Sequence, residues 1–359
     1  MKKSITLLLI VSVFLFSVTD SMAQGGADSL LHFILQNKPK ASLLLEKDNT
    51  VMAHLHEHTL MPLASTVKII VAIEFSKQAA YHRVDVNKMV PLSDLDKYYI
   101  AHTDGDAHPH WISYEKQQGN IINDSVSLLE VAKGMMLFSS NANTEYLMDL
   151  LGIDNVNSNI KLLGVKDHTI IYPLVSSLFL YQNPRHTKEE KIIKQIEKFS
   201  DEQYARATLL IHDQLKNDST YKGKFRLQDL TAGMQKEWSD RLPASTTEEY
   251  VRICNILNNR KIFDEKTYAV LSQILETIMQ NPTNREWLSH AGMKGGSTMF
   301  VLTKALYATL KNGTKIELAY FFNNLSQEEN DRLQKWMNDF ELAILSSDDF
   351  RKKVAESLN

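Results

Sequence analysis

Strand-like patterning is confined to the two ends of this chain, and a long stretch of helical periodicity lies between them. Near the start, Lys40 to Glu46 and Thr50 to Leu55 run as short apolar or alternating segments around Asp48-Asn49, a pair suited to a tight turn. Near the end, Ser289 to Lys294, Thr298 to Leu310 and Thr314 to Asn323 have the same character, and Asn312-Gly313 joins the last two. Asn-Gly between apolar runs is the strongest short hairpin signal, because both residues tolerate the positive φ the turn needs. Strands at both ends can close into one antiparallel sheet. The expected fold class is therefore α+β: an antiparallel sheet built from both chain ends and flanked by helices, with an inserted all-helical subdomain. In residue numbers this is a single domain over 24–359, with a sheet part of 24–64 plus 285–359 and a helical part of 65–284.

Apolar residues at spacings of three and four predict helices over Ala27 to Gln36, Ser125 to Phe138, Ala142 to Leu151, Thr187 to Leu215, Thr246 to Leu257 and Asp264 to Met279. From Ser65 onward, Ile69, Ile70, Val71, Ile73 and Phe75 read as a largely buried helix. A closing helix, Ser326 to Leu345, carries Leu333, Trp336, Met337, Phe340 and Ile344 on one face. Two stretches lack a pattern: Asp94 to Asn123, which holds His102, Asp104, Gly105, Asp106, His108, Pro109, His110 and Trp111, and Asp167 to His186. Loops this long in a compact domain are usually functional or disordered. His108 and His110, with Trp111, are expected to be loop residues on the rim of a cleft.

Lys2 and Lys3, the apolar run Ile5 to Val18 and the small-x-small sequence Ser21-Met22-Ala23 form a secretory signal pattern, so residues 1–23 are expected to be removed. The run is short for a bilayer span, and no later segment reaches the roughly 20 apolar residues a spanning helix needs. The mature chain is thus expected to be exported, periplasmic or secreted, with no membrane span. A formal charge of −3 gives no electrostatic case for nucleic acid as a partner. The single cysteine, Cys254, cannot form an intramolecular disulfide and falls in the apolar pattern Val251, Ile253, Ile256, Leu257, which places it in a core. Nothing in the sequence implies a cofactor.

Three short motifs carry chemistry. A serine attacks only when a base takes its proton, and a lysine one helical turn away is one solution. Ser65-Thr66-Val67-Lys68 has that spacing, which puts both side chains on one helix face, and the apolar helix around Lys68 would lower its pKa by desolvation. The same spacing occurs at Ser113 to Lys116, Ser158 to Lys161 and Ser219 to Lys222, but only Ser65 follows a strand pair and opens an apolar helix. Ser139-Ser140-Asn141 lies between two helices, where it is either an N-cap pair or a hydroxyl and an amide aimed into a cleft. Lys294-Gly295-Gly296-Ser297 sits on a strand; glycines there suggest close approach by a ligand or another backbone, and the lysine offers a charge for a carboxylate.

Serine-x-x-lysine, then serine-x-asparagine, then lysine-small-glycine-serine, in these settings, resembles the class A β-lactamases and the penicillin-binding D-alanyl-D-alanine peptidases. The resemblance spans roughly residues 27 to 345. It implies a serine hydrolase that forms an acyl-enzyme with a small β-lactam or a peptidoglycan-like amide or ester. Ser65 is then the nucleophile, Lys68 its base, Ser139 a proton relay and Asn141 a substrate amide contact. Lys294 and Ser297 form a carboxylate clamp. The backbone N–H of Ser65 and that of a residue past Gly296, taken as Thr298, form the oxyanion hole.

The chain also departs from that family. Class A β-lactamases carry a glutamate some 35 residues after the serine-x-asparagine corner, whereas Ile170 to Tyr181 contains no acid. Ser140 replaces their usual aspartate and Gly295 their usual threonine. Acylation is better supported than deacylation, so two further readings stay open: a D-alanyl-D-alanine peptidase or peptidoglycan-related esterase or amidase, and a sensor that is acylated without turnover. A zinc hydrolase is a third, because His54, His56 and His58 alternate and could share one face of a strand.

Overall fold

The computed structural model describes residues 20–182 and 187–359. The expected leader, 1–23, lies for its first nineteen residues outside the described residues, as do 183–186 of the second irregular stretch. Five strands form one antiparallel sheet: β1 (Ala41–Lys47), β2 (Thr50–Leu55), β3 (Leu288–Ser297), β4 (Leu302–Leu310) and β5 (Lys315–Phe322), in the order β2-β1-β5-β4-β3. The two chain ends meet where β1 pairs with β5, Leu43 opposite Tyr320.

Alternation along the strands gives the sheet two buried faces. On β5, Leu318, Tyr320 and Phe322 pack on one side with Ile34, Leu306 and Phe340, while Ala319 and Phe321 join Tyr250, Ile253 and Leu257 on the other. The first side is covered by α1 (Asp20–Gln36) and, from the end of the chain, by the helices Gln327–Ser346 and Asp348–Leu358. The helical block covers the second. At its centre is α2 (Lys68–Ala80), buried on all sides from Lys68 to Ser76, as a helix apolar around most of its circumference must be. Around it stand α3 (Ala107–Gln117), α4 (Leu128–Leu137), α5 (Asn141–Leu151), α6 (Glu189–Ile196), α7 (Asp201–Asn217), α8 (Ala232–Arg241), α9 (Thr247–Asn258) and α10 (Glu265–Leu275); α11 is Gln327–Ser346 and α12 Asp348–Leu358.

Several elements differ from expectation. Residues 107–117, expected to be irregular, form α3, so His108 and Trp111 are buried helix residues rather than rim loop residues. The predicted helix from Thr187 to Leu215 is two helices, interrupted where Ser200 makes a capping box with Gln203; reciprocal side-chain bonds at that point satisfy amides a continuous helix would not leave free. Ser125–Ser127 is a short strand, and Ser127 caps α4. The helix Ile153–Leu162 was not anticipated, and the closing helix is followed by α12. Thr298 lies in the turn before β4 rather than in that strand.

The two edges of the sheet are treated differently. At β2, the Asn359 side chain accepts from His54 N (3.2 Å) and donates to Met52 O (2.8 Å), standing in for a neighbouring strand. At β3 the edge faces the helical corner between α4 and α5.

Candidate active site

Ser65 sits in a 3-10 turn, Ala64–Val67, that leads into α2. The preceding Ala64 has φ of +45°, a left-handed conformation that an L-residue adopts at a cost; strain of this kind, on the order of 1–3 kcal/mol, persists where surrounding structure over-determines it. Here a hydroxyl chain does so. Thr66 Oγ1 and Thr303 Oγ1 are 2.8 Å apart, and Thr303 Oγ1 donates to Leu63 O at 2.8 Å, which fixes the turn against β4. Ser65 itself is 7% exposed and lines a recess with Asp104, Ser139, Asn141 and Ser297.

One turn along, Lys68 has no exposed surface. Its Nζ donates to Ser139 O (2.6 Å), Ser139 Oγ (3.2 Å) and Asn141 Oδ1 (2.8 Å). Burial pulls its pKa down to about 7, against the opposing charges of Asp104 and Glu145. An amine that titrates there can accept a proton near neutrality, which an ordinary lysine cannot.

The corner that meets this amine divides its work between two serines. Ser140 is the cap of α5, accepting from Asn143 N at 3.2 Å, and its hydroxyl lies 2.9 Å from His108 Nδ1. That frees Ser139. With φ of +67° it turns both its carbonyl and its hydroxyl toward Lys68. Lys294 on β3 reaches the same hydroxyl, Nζ to Ser139 Oγ at 3.0 Å, and Gly295 O at 2.9 Å. Because Ser139 Oγ accepts from both amines, its own proton is available to another acceptor. Burial, with the charges of Lys68 and Lys304, holds the Lys294 pKa well below the ordinary lysine value.

Gly296 lies against the turn that carries Ser65: a Cβ there would sit 2.5 Å from both Leu63 O and Ser65 N. Only glycine fits. Ser297 Oγ donates to Thr298 O at 3.2 Å, and Ser297 lines both the recess around Ser65 and a larger groove. Thr298 does not offer the N–H expected of it, because that group donates to Val301 O at 2.9 Å. Its hydroxyl is also engaged, accepting from Ser239 Oγ, Phe300 N and Val301 N. The donor facing the cleft is one residue earlier. Hydrogen-bonded and non-hydrogen-bonded pairs alternate along an antiparallel ladder. With Thr298 bonded to Val301, the Ser297–Leu302 pair is of the other kind, so the Ser297 N–H points away from β4 to the open edge.

The groove continues from Ser139 past Lys294, Gly295 and Gly296 to Thr277 and Gln334. On the sheet's far face, Lys304 is buried beside Glu341 (3.3 Å) and lies close behind Gly295. The remaining lining of the Ser65 recess is Ala64, Thr103, Leu174, Trp238, Leu242 and Thr298.

No acid stands in the segment from Ile170 to Tyr181, but Glu145 on α5 holds that segment in place. Its carboxylate accepts from Val175 N (2.6 Å), Ser176 N (2.8 Å) and Ser176 Oγ (2.5 Å), and His212 Nδ1 lies 3.2 Å away. Of the three histidines near β2, His54 and His58 both lie beside Glu57 (3.0 and 3.5 Å), His58 also reaches Glu248 (2.9 Å), and His56 turns instead to the Ala41 carbonyl. Among the described residues no group of three or more His, Cys, Asp or Glu is placed to hold a metal ion, and no helix is long and apolar enough to cross a membrane. Cys254 is buried.

Sequence reasoning did not single out Asp104, which reaches the cleft from the stretch expected to be irregular. The available signal was Asp104-Gly105-Asp106 ahead of Ala107 to Trp111, a helix-start pattern.

The model of the β-lactamase enzyme family matches residues 34–282, and the chain belongs to that family. The match ends before β3, so Lys294 to Ser297 rest on the structure. Similar solved structures include a class A β-lactamase representative from Bacteroides cellulosilyticus DSM 14838 (17% identity, 91% of this chain and 99% of that one, TM-score 0.52). A β-lactamase from Sphaerobacter thermophilus DSM 20745 aligns at 15% identity over 90% and 97% of the two chains, TM-score 0.55. A mutant of PBP-A, described as an acyl-enzyme complex with penicillin G, aligns at 14% identity over 90% and 97%, TM-score 0.51. At these identities the likeness is one of fold. No curated protein matches the chain.

Proposed function

We propose that this chain is a serine acyl-transfer enzyme of the exported kind, acylated at Ser65 by β-lactams or by related peptidoglycan-like amides and esters. The observation that carries the reading is the Ser139 hydroxyl held between the Lys68 and Lys294 amines, 3.2 and 3.0 Å away, beside the turn of Ser65. In the proposed sequence Lys68, neutral near pH 7, takes the Ser65 proton as Oγ attacks the acyl carbonyl. Negative charge developing on the carbonyl oxygen is met by the backbone N–H groups of Ser65 and Ser297. Ser139 passes a proton to the leaving nitrogen or oxygen and is resupplied by the adjacent amine. Asn141 contacts the acyl amide, while Lys294 and the Ser297 and Thr298 segment face the substrate carboxylate.

Deacylation is slow in this reading. Glu145, the carboxylate nearest the 170–181 segment, is committed to Val175, Ser176 and His212 and is buried. That favours an acyl-enzyme that accumulates, as in a peptidase or sensor, over rapid β-lactam turnover. The test is intact mass of purified protein over time with a penicillin and, separately, with a D-alanyl-D-alanine peptide. The expected result is a persistent penicilloyl adduct, lost in Ser65→Ala; a chain that gains no mass from penicillin, or gains it equally without Ser65, overturns the proposal.

A further inference from the structure

Thr303 on β4 is fully buried. It stands opposite Gly296 in the ladder and so shares that residue's face of the sheet, the face turned to Ser65. Its hydroxyl meets three partners: Thr66 Oγ1 at 2.8 Å, Leu63 O at 2.8 Å and Gly296 O at 3.2 Å. The directions of these bonds follow from the single hydrogen each hydroxyl carries. The other acceptor near Thr66 Oγ1, Lys294 O, is 3.5 Å away, so Thr66 donates to Thr303. The proton of Thr303 is then left for the two carbonyls, closer to Leu63 O and shared with Gly296 O.

Those carbonyls belong to the two segments whose amides are assigned above to the acyl oxygen. Leu63 O also accepts from Thr66 N at 3.0 Å, so it is the carbonyl that closes the turn around Ser65. Gly296 O and the Ser297 N–H lie in one rigid peptide plane and point opposite ways. A hydroxyl that holds this oxygen on the β4 side therefore aims the N–H at the open edge. A Cβ at 296 would lie 2.8 Å from Thr303 Oγ1, besides its collisions with the Ser65 turn, so glycine leaves the space in which the hydroxyl bridges strand and turn. Strand geometry favours a β-branched residue at 303, a demand valine would meet equally. Closing the turn engages Leu63 O alone. The contact to Gly296 O is a further provision, and it couples the two segments.

We propose that Thr303 is a positioning residue whose hydroxyl ties the Ser65 turn to Gly296 and thereby sets the spacing of the Ser65 and Ser297 N–H groups around one acyl oxygen. This rests on the acyl-transfer reading for its reaction but not for its geometry, and the experiment has two arms accordingly. In the first, acylation by benzylpenicillin is followed over a range of concentrations, which separates the limiting rate from the half-saturating concentration. Thr303→Val keeps the shape and removes the hydroxyl. Its limiting rate is expected to fall about tenfold or more with little change in half-saturation, since both donors remain but lose their placement. Thr303→Ser keeps the hydroxyl, loses a methyl group and is expected to retain most of the rate. An unchanged rate in Thr303→Val, a fall in Thr303→Ser as large as in Thr303→Val, or a loss confined to half-saturation overturns the assignment. Should Thr303→Val not fold, Thr303→Ala against Thr303→Ser gives the same contrast, with the methyl group absent from both. In the second arm, crystal structures of the variants give the separation of Ser65 N and Ser297 N. If penicillin adds no mass to the unaltered chain, the acyl-transfer reading falls, and this arm still decides the geometry: a separation altered without the hydroxyl and kept in Thr303→Ser supports the tie, and any other pattern overturns it.

Discussion

Gly296 and the backbone nitrogen of Ser65 approach so closely that a Cβ at 296 would lie 2.5 Å from that nitrogen and 2.5 Å from Leu63 O. Both obstacles are backbone, so neither yields by changing a rotamer. Gly296→Ala is expected to cost on the order of 1–3 kcal/mol and to reduce penicillin acylation at least tenfold by displacing the Ser65 turn. At Gly295 the nearest atoms to a new Cβ are Thr303 O at 3.3 Å and the end of the Lys304 side chain at 3.4 and 3.6 Å. Gly295→Ala is therefore expected to retain most acylation. Denaturation midpoints and acylation rates of the two variants check the contrast, and equal effects would contradict it.

The acylation rate should rise with pH through about 7 and then level. Lys68, the proposed base, can accept a proton only when neutral, and burial brings its pKa down to about 7 from the ordinary lysine value. The Asp104 charge opposes that depression, so Asp104→Asn is expected to move the midpoint to lower pH. Rates measured by intact mass across the neutral range give the profile; one that keeps rising toward the ordinary lysine range would remove Lys68 as the base.

Ala64 holds a left-handed φ of +45° immediately before Ser65, the proposed nucleophile. Ala64→Gly relieves that strain and is expected to stabilise the fold by about 1 kcal/mol, while the added freedom of the turn slows acylation. Chemical denaturation and acylation kinetics should thus move in opposite directions.

Glu145 joins α5 to the 174–176 segment through three hydrogen bonds. Glu145→Ala leaves the Val175 and Ser176 amides unmatched in a buried site and is expected to cost about 3 kcal/mol or more. Proteolysis should then cut within 168–182 faster than in the unaltered chain. Unchanged stability would show that other contacts hold the segment.

The sheet was legible because its strands follow elementary rules: alternation on β5 and the Asn312-Gly313 turn before it. Helix α3 was not. Two of its buried positions are His108 and Glu115, polar residues satisfied by Ser140, Trp111 and Asn120, so an apolar period does not show its inward face. The division of Thr187 to Leu215 was signalled by Ser200 and Gln203 but masked by continuous apolar spacing on either side. At the site, each motif is contiguous in sequence and could be read locally, whereas the amide facing the cleft depends on ladder phase. That phase is set by the turn at Met299-Phe300, and moving one residue along it changes Thr298 into Ser297. Asp104 shows the remaining limit: local spacing suggests a helix start, and nothing local reveals that the side chain also lines the cleft beside Ser65.

The Lys304–Glu341 pair has a reach that its position hides. It lies on the opposite side of the sheet from Ser65, yet Lys304 depresses the Lys294 pKa across the thickness of a single strand. Glycine at 295 leaves little material between the two ammonium groups. Changes in the rear helix that carries Glu341, remote from any bound ligand, would therefore retune the front of the molecule electrostatically while leaving its shape intact.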